Sequence, residues 1–292
     1  MKQKSLITAA LITAALMLPV SANSIELGSN AEKVTTTISA VGDKKPVIDG
    51  KIDDGEYTPI SFSKDDLMYL GYDDARLAEM KNTDVKIYAS YDAENVYIGV
   101  VVSTPDFVQK ATSGNDMWQN YCIQLCGAAA DETDPGSRAE LGYTRNNETG
   151  ELLFANWSSG YLDGYAADTT GRDFAVVTKN GVTTYEIAMP AAAFGMDSLK
   201  EGGKIGLDIT MVFSDDNGPA VIEWAQGCYV AKDSTVFAKV TLGEPMKAPA
   251  AASDDASDDA SDDTSAATAD TFSVCLAALA MSAAALALRK KH

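Results

Sequence analysis

The stretch around Trp118 combines one large aromatic side chain with several polar ones. Asn115, Asp116, Gln119 and Asn120 surround the indole in a segment that is also rich in Ser and Gly. A pyranose has an apolar face that packs on an aromatic ring, and its equatorial hydroxyls need amide or carboxylate partners. The stretch therefore indicates a loop that holds a sugar. The alternative is that Trp118 covers the edge of the fold as a lid.

Catalysis on a sugar would need a different set of residues. The candidates for the carboxylate pair of a glycosidase are Glu56, Glu186 and Glu223. No spacing brings them together, and acidic residues are abundant, so we predict no enzyme. The single histidine is His292, the last residue. A folded domain that ends before it can contain no Ser-His-Asp triad and no zinc or haem ligated by histidine.

Acidic residues also cluster at turns, where they could bind a hard cation. Asp49, Asp53 and Asp54 flank two turns of the Asp-Gly type, and Asp215 begins a third acidic turn. Calcium needs several oxygen ligands from a bent loop, but Asp is also an ordinary turn residue. We take Asp49, Asp53 and Asp54 as candidate ligands of a structural calcium ion, with turn chemistry as the alternative.

The charge of the chain limits its partners. Among 292 residues, 42 are acidic and 23 are basic, which gives a formal net charge of −19. Nucleic-acid binding needs a basic surface and is excluded. Anionic membrane surfaces and acidic polysaccharides are disfavoured for the same reason. Neutral polysaccharides, neutral oligosaccharides and cations remain compatible.

The cysteines leave two interpretations open. Cys122 and Cys126 lie on one predicted strand, about 13 Å apart at ~3.3 Å per residue, which is too far for a mutual disulfide. One of them could pair with Cys228 after export. Small buried thiols are the favoured interpretation. Cys275 falls in a terminal apolar segment.

Hydrophobic patterning predicts an all-β fold. Alternating or apolar runs predict strands at 34–38, 85–89, 96–103, 121–126, 139–145, 152–157, 174–178, 182–189, 205–213, 221–225 and 236–242. Turn residues such as Asn180-Gly181 separate the strands, and only short helical pieces are predicted, near 74–80 and 191–195. The pattern is typical of an antiparallel β-sandwich, with an immunoglobulin-like or jelly-roll-like two-sheet architecture.

Both ends of the chain look like segments for export and anchoring. The predicted order is a signal peptide (1–22), a polar N-terminal segment (23–45), the sandwich (46–243), an Ala/Pro/Ser/Asp-rich disordered linker (244–271), a transmembrane helix (272–288) and a basic cytoplasmic tail (289–292). We therefore expect an exported protein at the extracellular face of the cell membrane or cell wall. Its C-terminal helix would be its sole contact with the membrane.

The C-terminal end resembles a degenerate Gram-positive cell-wall sorting signal. Thr268, the apolar span and the basic tail match its layout, whereas the Leu, Pro and Gly of the Leu-Pro-x-Thr-Gly motif are absent around Thr268. Anchoring by the helix itself explains the sequence equally well.

The body of the chain resembles the family 9 carbohydrate-binding modules. The matching motifs, in order, are Pro46–Asp53, Val85–Tyr91 with Val96–Val102, Trp118 with Cys122–Leu125, Tyr185–Pro190 with Phe194, Ile205–Ile209, and Trp224 with Phe237. The resemblance covers about Pro46 to Leu242. It implies a non-catalytic sandwich in which two aromatic rings hold a terminal sugar, polar side chains fix its hydroxyls, and calcium ions brace loops.

The resemblance also implies a set of site residues. Trp118 matches the first ring of the family, and Tyr229 lies near the place of the second ring. Gln124 stands where the family commonly has a Glu and would still bind a hydroxyl. With Asn120 from the polar loop, these residues form the predicted site.

The other two tryptophans are assigned packing roles. Trp224 follows Glu223 within a strand pattern and is expected in the core. Trp157 closes a strand and is expected to pack at the surface, although Tyr161 and Tyr165 could form a groove beside it.

We predict that the chain binds the ends of neutral polysaccharide or oligosaccharide chains on a cell surface. The main alternative is a structural or adhesive surface protein with a degenerate sugar site. An accessory domain of a glycoside hydrolase or a haem-binding electron-transfer sandwich is less favoured.

Overall fold

The computed structural model describes residues 25–28 and 30–246, and these residues form fourteen strands and one α-helix. The first seven strands are β1 (Ile25–Leu27), β2 (Thr35–Ala40), β3 (Thr58–Ile60), β4 (Leu67–Leu70), β5 (Val85–Tyr91), β6 (Asn95–Ser103) and β7 (Tyr121–Ala129). The other seven are β8 (Ala139–Arg145), β9 (Leu152–Ser158), β10 (Phe174–Lys179), β11 (Val182–Pro190), β12 (Lys204–Phe213), β13 (Val221–Trp224) and β14 (Ala238–Pro245).

Helical segments are short. The α-helix α1 (Asp74–Asn82) begins after Asp73, whose side chain accepts the N–H of Arg76 at 2.7 Å as an N-cap. The 3₁₀ helices are Ala31–Lys33, Lys64–Asp66, Gly114–Gln119, Ala191–Phe194 and Ser234–Val236. The all-β class predicted from the hydrophobic pattern is confirmed.

Strand β12 joins two layers of one large, nearly closed sheet. One edge of β12 pairs with β7 along its whole length, and β8 and β9 continue that side. On its other edge, the first half of β12 pairs with β14 and the second half with β13. Beyond β14 the order is β2, β5, β6, β11 and β10, and beyond β13 it is β4 and β1, while β3 pairs with β5.

The main core lies between these layers. Its largest cluster contains fully buried side chains from both, such as Ile38 of β2, Ile98 of β6, Leu141 of β8 and Ile209 of β12. Burial of such aliphatic side chains contributes roughly 1.5–3 kcal/mol each. The core therefore fixes the two layers against each other and leaves the opposite face of β7, β8 and β9 for other contacts.

The structure differs from the predicted sandwich in three details. The pairings of β14 with β2 and of β2 with β5 are parallel, so the sheet is mixed and not purely antiparallel. Strand β2 is an interior strand, so the sheet begins before residue 46, the predicted start of the sandwich. The four residues of β4, Leu67–Leu70, are all buried and form a strand that the pattern did not predict.

Several predictions concern residues that the structure does not describe. The signal peptide (1–22), the transmembrane helix (272–288), the basic tail and the sorting sequence around Thr268 lie outside residues 25–28 and 30–246. Within those ranges, no helix has the length and apolar character needed to cross a membrane.

Candidate functional site

The alternation of side chains along β7 places polar residues on the face turned away from the main core. Ile123 and Leu125 belong to the core cluster, whereas Gln124 between them points to the opposite face. Strand β8 follows the same alternation, and Gly142 lies directly opposite Gln124 in the register. Glu140, two residues before Gly142, shares this face. The outer face of β7 and β8 therefore carries an amide, a carboxylate and a glycine side by side.

A cavity of about 370 Å³ lies on this face. Its lining combines three aromatic side chains with two amides and one pair of opposite charges: Trp118, Trp157, Tyr229, Asn115, Gln124, Glu140 and Lys232. This size is within the range of small-molecule sites in proteins. Aromatic surface with a few polar groups is the usual composition of such sites, because the rings supply contact area and the polar groups fix orientation.

Trp118 is presented by a 3₁₀ helix, Gly114–Gln119, and not by an irregular loop. The Ser113 hydroxyl accepts the N–H of Asn115 at 3.2 Å at the start of this helix. The side chain of Met117 is fully buried and fastens the helix to the fold, while the next residue, Trp118, is 37 % exposed. The indole of Trp118 is thus partly exposed and lines the cavity.

Trp157 also lines the cavity, although we expected it to pack at the surface. It lies on β9, on the same face as Leu153 and Ala155, which form a small apolar cluster beneath it. Its indole N–H donates to the carbonyl of Asn115 at 3.4 Å, which ties the ring to the helix that carries Trp118. The period of two along β9 placed these side chains on one face, but nothing in the spacing showed that this face adjoins Gln124.

Tyr229 lies on an irregular stretch between β13 and the 3₁₀ helix Ser234–Val236; residues 225–233 are called the Tyr229 segment below. Burial of the phenol raises the pKa of Tyr229 to about 12, so the ring is neutral at physiological pH. The ammonium of Lys232 lies 5.9 Å from the centre of the Tyr229 ring, within the range of a cation–π contact.

A disulfide connects Cys126 of β7 to Cys228, the residue before Tyr229, with the two Cα atoms 5.8 Å apart. The expectation of buried free thiols is therefore wrong for these two residues. Cys126 points to the same outer face as Gln124, and the Tyr229 segment crosses that face, so the two sulfurs meet. Cys122 is a buried free thiol, and burial raises its pKa.

The polar groups of the cavity differ in how well they are paired. The Glu140 carboxylate accepts from the Arg138 guanidinium at 3.0 and 3.3 Å and forms an ion pair with Lys232. The Gln124 side chain is 3 % exposed, and its amide oxygen has no hydrogen-bond partner among the described residues. A buried acceptor without a partner costs about 1–3 kcal/mol. The charges of the cavity thus compensate each other, and the amide oxygen of Gln124 is left without a partner among the described residues.

Asn120 lies apart from the other predicted site residues. It caps the end of the 3₁₀ helix, its side-chain oxygen accepts the N–H of Lys110 at 3.3 Å, and its amide donates to the carbonyl of Gln119. It lines a second cavity, together with Arg76 and several carboxylates. The structure thus brings together Trp118, Gln124 and Tyr229 and leaves Asn120 elsewhere.

The predicted calcium ligands do not converge. Asp49 accepts the backbone N–H of Lys51 and pairs with its ammonium at 3.0 Å, and Asp53 lies 3.8 Å from the ammonium of Lys44. Within the part of the chain that the structure describes, no group of three or more acidic, Cys or His side chains is arranged to hold a metal ion. Asp49, Asp53 and Asp54 thus do not fit a calcium cage as they stand, and calcium binding stays a prediction.

The carboxylates considered for catalysis have other partners. Glu186 is buried and accepts the hydroxyl of Tyr57 at 2.5 Å, and Glu56 pairs with Lys44 at 3.2 Å. Glu223 is fully buried on β13 and binds backbone N–H groups of the Tyr229 segment. Trp224, the next residue, is buried in the main core as expected.

Comparisons with known proteins give fold-level similarities. No family model and no curated protein matches the chain. A family 9 carbohydrate-binding module from Caldicellulosiruptor kristjanssonii, solved with cellotriose, is similar over 73 % of this chain and 95 % of the module, at 13 % identity and a TM-score of 0.48. The same type of module solved with glucose has the same identity and TM-score, over 74 % of this chain and all of the module. A Bacteroides uniformis protein, provisionally described as carbohydrate-binding, is similar over 55 % of this chain and 78 % of its own, at 13 % identity and a TM-score of 0.39.

Proposed function

We propose that this chain binds neutral carbohydrate without transforming it, by stacking a sugar ring on the aromatic side chains of the cavity. The observation that carries the proposal is the convergence of Trp118, Trp157 and Tyr229 on one cavity with Gln124, whose buried amide oxygen has no partner among the described residues. Rings supply flat apolar surface for the C–H face of a pyranose, and the amide oxygen accepts a sugar hydroxyl.

The charges of the cavity favour a neutral ligand. Glu140 is neutralised by Arg138 and Lys232, so the lining has no excess of either sign. A charged ligand would have to compete with this pairing, whereas a sugar hydroxyl can accept from the exposed Lys232 ammonium or donate to Gln124. This composition supports neutral oligosaccharide or polysaccharide chain ends over acidic glycans.

The lining argues for binding over hydrolysis. Glycosidases use two carboxyl groups on either side of the scissile bond. Glu140 is the one carboxylate that lines the cavity among the described residues, and it is held in two ion pairs. The structural or adhesive alternative predicts a degenerate sugar site, and the position of Trp157 as a second tryptophan on the cavity weighs against it.

The proposal includes export and anchoring, for which the sequence supplies the support. A signal peptide at 1–22 would export the chain, and the helix 272–288 would hold it at the outer surface on the acidic linker 244–271. The disulfide between Cys126 and Cys228 is compatible with an oxidising exterior. Many copies on one surface would raise a modest affinity by multivalency.

A glycan array followed by titration with cellotriose tests the proposal on the purified full chain. We expect the wild type to retain neutral glycans and Trp118→Ala to bind at least about tenfold more weakly, a loss of ~1.4 kcal/mol. Tyr161→Ala is the matched control, because Tyr161 is 39 % exposed and lies outside the cavity. If the wild type retains no glycan, the adhesive function replaces the proposal. Equal binding by Trp118→Ala would show that this ring does not contact the sugar.

A further inference from the structure

Tyr229 is the one aromatic residue of the cavity that no regular secondary structure holds. Trp118 belongs to a 3₁₀ helix and Trp157 to β9, whereas the Tyr229 segment runs without helix or strand from Ala225 to Asp233. An irregular segment of this kind keeps one conformation only if specific contacts fix it. The structure shows several such contacts, among them a hydrogen bond from the Cys228 N–H to the buried Asp208 carboxyl at 2.9 Å and three contacts made by Glu223, the disulfide and Lys232.

The first contact is made by Glu223, the residue that the sequence suggested for catalysis. Its carboxylate oxygen Oε1 accepts the backbone N–H of Cys228 at 2.6 Å and that of Tyr229 at 2.9 Å. Glu223 itself is fully buried on β13. Hydrogen bonds from backbone N–H groups to a buried carboxylate are charge-assisted and roughly twice as strong as neutral ones.

The second contact is the disulfide. It ties Cys228 to Cys126, which lies two residues beyond Gln124 on the same face of β7. The backbone immediately before Tyr229 is therefore bonded covalently to the strand that provides the buried amide of the cavity.

The third contact holds the far end of the segment. Lys232 pairs with Glu140 of β8, and the Lys232 carbonyl accepts from the Arg138 guanidinium at 3.3 Å. This pair is partly exposed, so it is weaker than the buried contacts at Cys228. The contacts of Glu223 and of the disulfide at Cys228 are therefore the ones that fix the position of Tyr229 most strongly.

We infer that Glu223 and the Cys126–Cys228 disulfide are positioning groups that hold the Tyr229 ring on the cavity, so that ligand affinity falls when either is removed or when the disulfide is reduced. This inference rests on the proposed function for its consequence on affinity. The position of Tyr229 can be measured without any ligand, so a failure of the positioning inference can be distinguished from a failure of the proposed function.

Hydrogen exchange on the full chain tests the positioning directly. We expect the amides of Cys228 and Tyr229 to exchange at least about tenfold faster in Glu223→Ala, and also after reduction or in the double variant Cys126→Ser with Cys228→Ser. Glu223→Gln keeps an oxygen that can accept both N–H groups and should restore protection. Tyr161→Ala is the control, because it removes a partly exposed ring outside the cavity and leaves Glu223 and the disulfide intact.

Titration with cellotriose then measures the consequence. We expect affinity to fall at least fivefold in Glu223→Ala and in the disulfide variant, and to recover in Glu223→Gln, with Tyr161→Ala equal to the wild type. Unchanged amide exchange in both the Glu223→Ala and the disulfide variants would overturn the inference, and so would faster exchange with unchanged affinity. If the wild type binds no saccharide, the proposed function fails, while the exchange rates still decide whether these groups position Tyr229.

Discussion

The six-membered ring of the Trp157 indole lies against the backbone of Gly142. A methyl group on Gly142 would overlap Cη2 and Cζ3 of that ring and would also approach the sulfur of Met117 at 3.0 Å. Because Gly142 pairs with Gln124 across β7 and β8, the absence of a side chain here lets the indole rest beside the buried amide. The geometry of the cavity therefore depends on a residue that contributes no side chain to it.

Gly142→Ala is expected to displace Trp157 and weaken saccharide binding. Insertion of a methyl group into a packed site costs about 1–3 kcal/mol of stability, because the indole must tilt or the strands must move. The measurement is a double-mutant cycle with Trp157→Ala, using cellotriose titration and urea unfolding. The effect of Gly142→Ala should largely vanish once the indole is absent. Equal losses with and without Trp157 would show that the methyl group acts on something else.

Gln124→Leu should separate stability from binding. The amide oxygen of Gln124 is buried without a partner among the described residues, so an apolar side chain of similar size removes a cost of folding. We expect the free energy of unfolding to rise by about 1 kcal/mol, while affinity for neutral glycans falls because Leu offers no hydrogen bond. Urea unfolding and glycan titration measure the two effects. A variant that binds as well as the wild type would remove Gln124 from the site.

The positions of most strands could be predicted from the sequence, because alternation and turn residues are local signals. The pattern predicted β7 and β12 to within a few residues, and the turn Asn180-Gly181 marked the hairpin of β10 and β11. Strand β2 was harder, because it is mostly Thr, Ser and Ala and is stabilised by parallel pairing with residues far along the chain. Strand β4 is only four residues long and shows no alternation.

The site was predictable only in part, for a similar reason. Trp118 and Gln124 lie near each other in sequence, and the family resemblance pointed to Tyr229. The contribution of Trp157 depends on the register that brings Gly142 next to Gln124, and spacing within one strand does not reveal the register between strands. The pairing of Cys126 with Cys228 likewise could not be predicted from the sequence, because it depends on the path of the Tyr229 segment.

Asn120→Ala is expected to leave saccharide affinity within about twofold of the wild type, since a group outside the contact has little effect on binding. Asn120 ends the 3₁₀ helix and lines a different cavity from Trp118, although only Gln119 lies between them in sequence. Its side chain accepts one backbone N–H, so we expect a stability loss of about 0.5–1.5 kcal/mol. Titration of Asn120→Ala and Trp118→Ala with cellotriose compares the affinities of the two variants. A loss as large as that of Trp118→Ala would mean that the ligand extends past the cavity.

The buried carboxyl group of Asp208, which lies beside Glu223, should make stability depend on pH. Both accept the N–H of Cys228, at 2.9 and 2.6 Å. Burial, followed by the nearby charge of Glu223, raises the pKa of Asp208 well above its usual range. The native state therefore keeps a proton that the unfolded chain releases above about pH 4. Because the native state binds more protons than the unfolded chain, the contribution of Asp208 to the free energy of unfolding falls as the pH rises from about 4 towards the raised pKa.

Glu223→Gln tests this dependence, because it removes the charge and keeps an oxygen for the Cys228 and Tyr229 N–H groups. We expect the pKa of Asp208 to fall in the variant, so that its unfolding free energy decreases less steeply between about pH 4 and pH 8 than that of the wild type. Urea unfolding at several pH values gives the two curves, and their difference cancels the contribution of distant groups. Parallel curves would mean that Glu223 does not raise the pKa of Asp208. A steeper fall in the variant would mean that Glu223 lowers the pKa of Asp208.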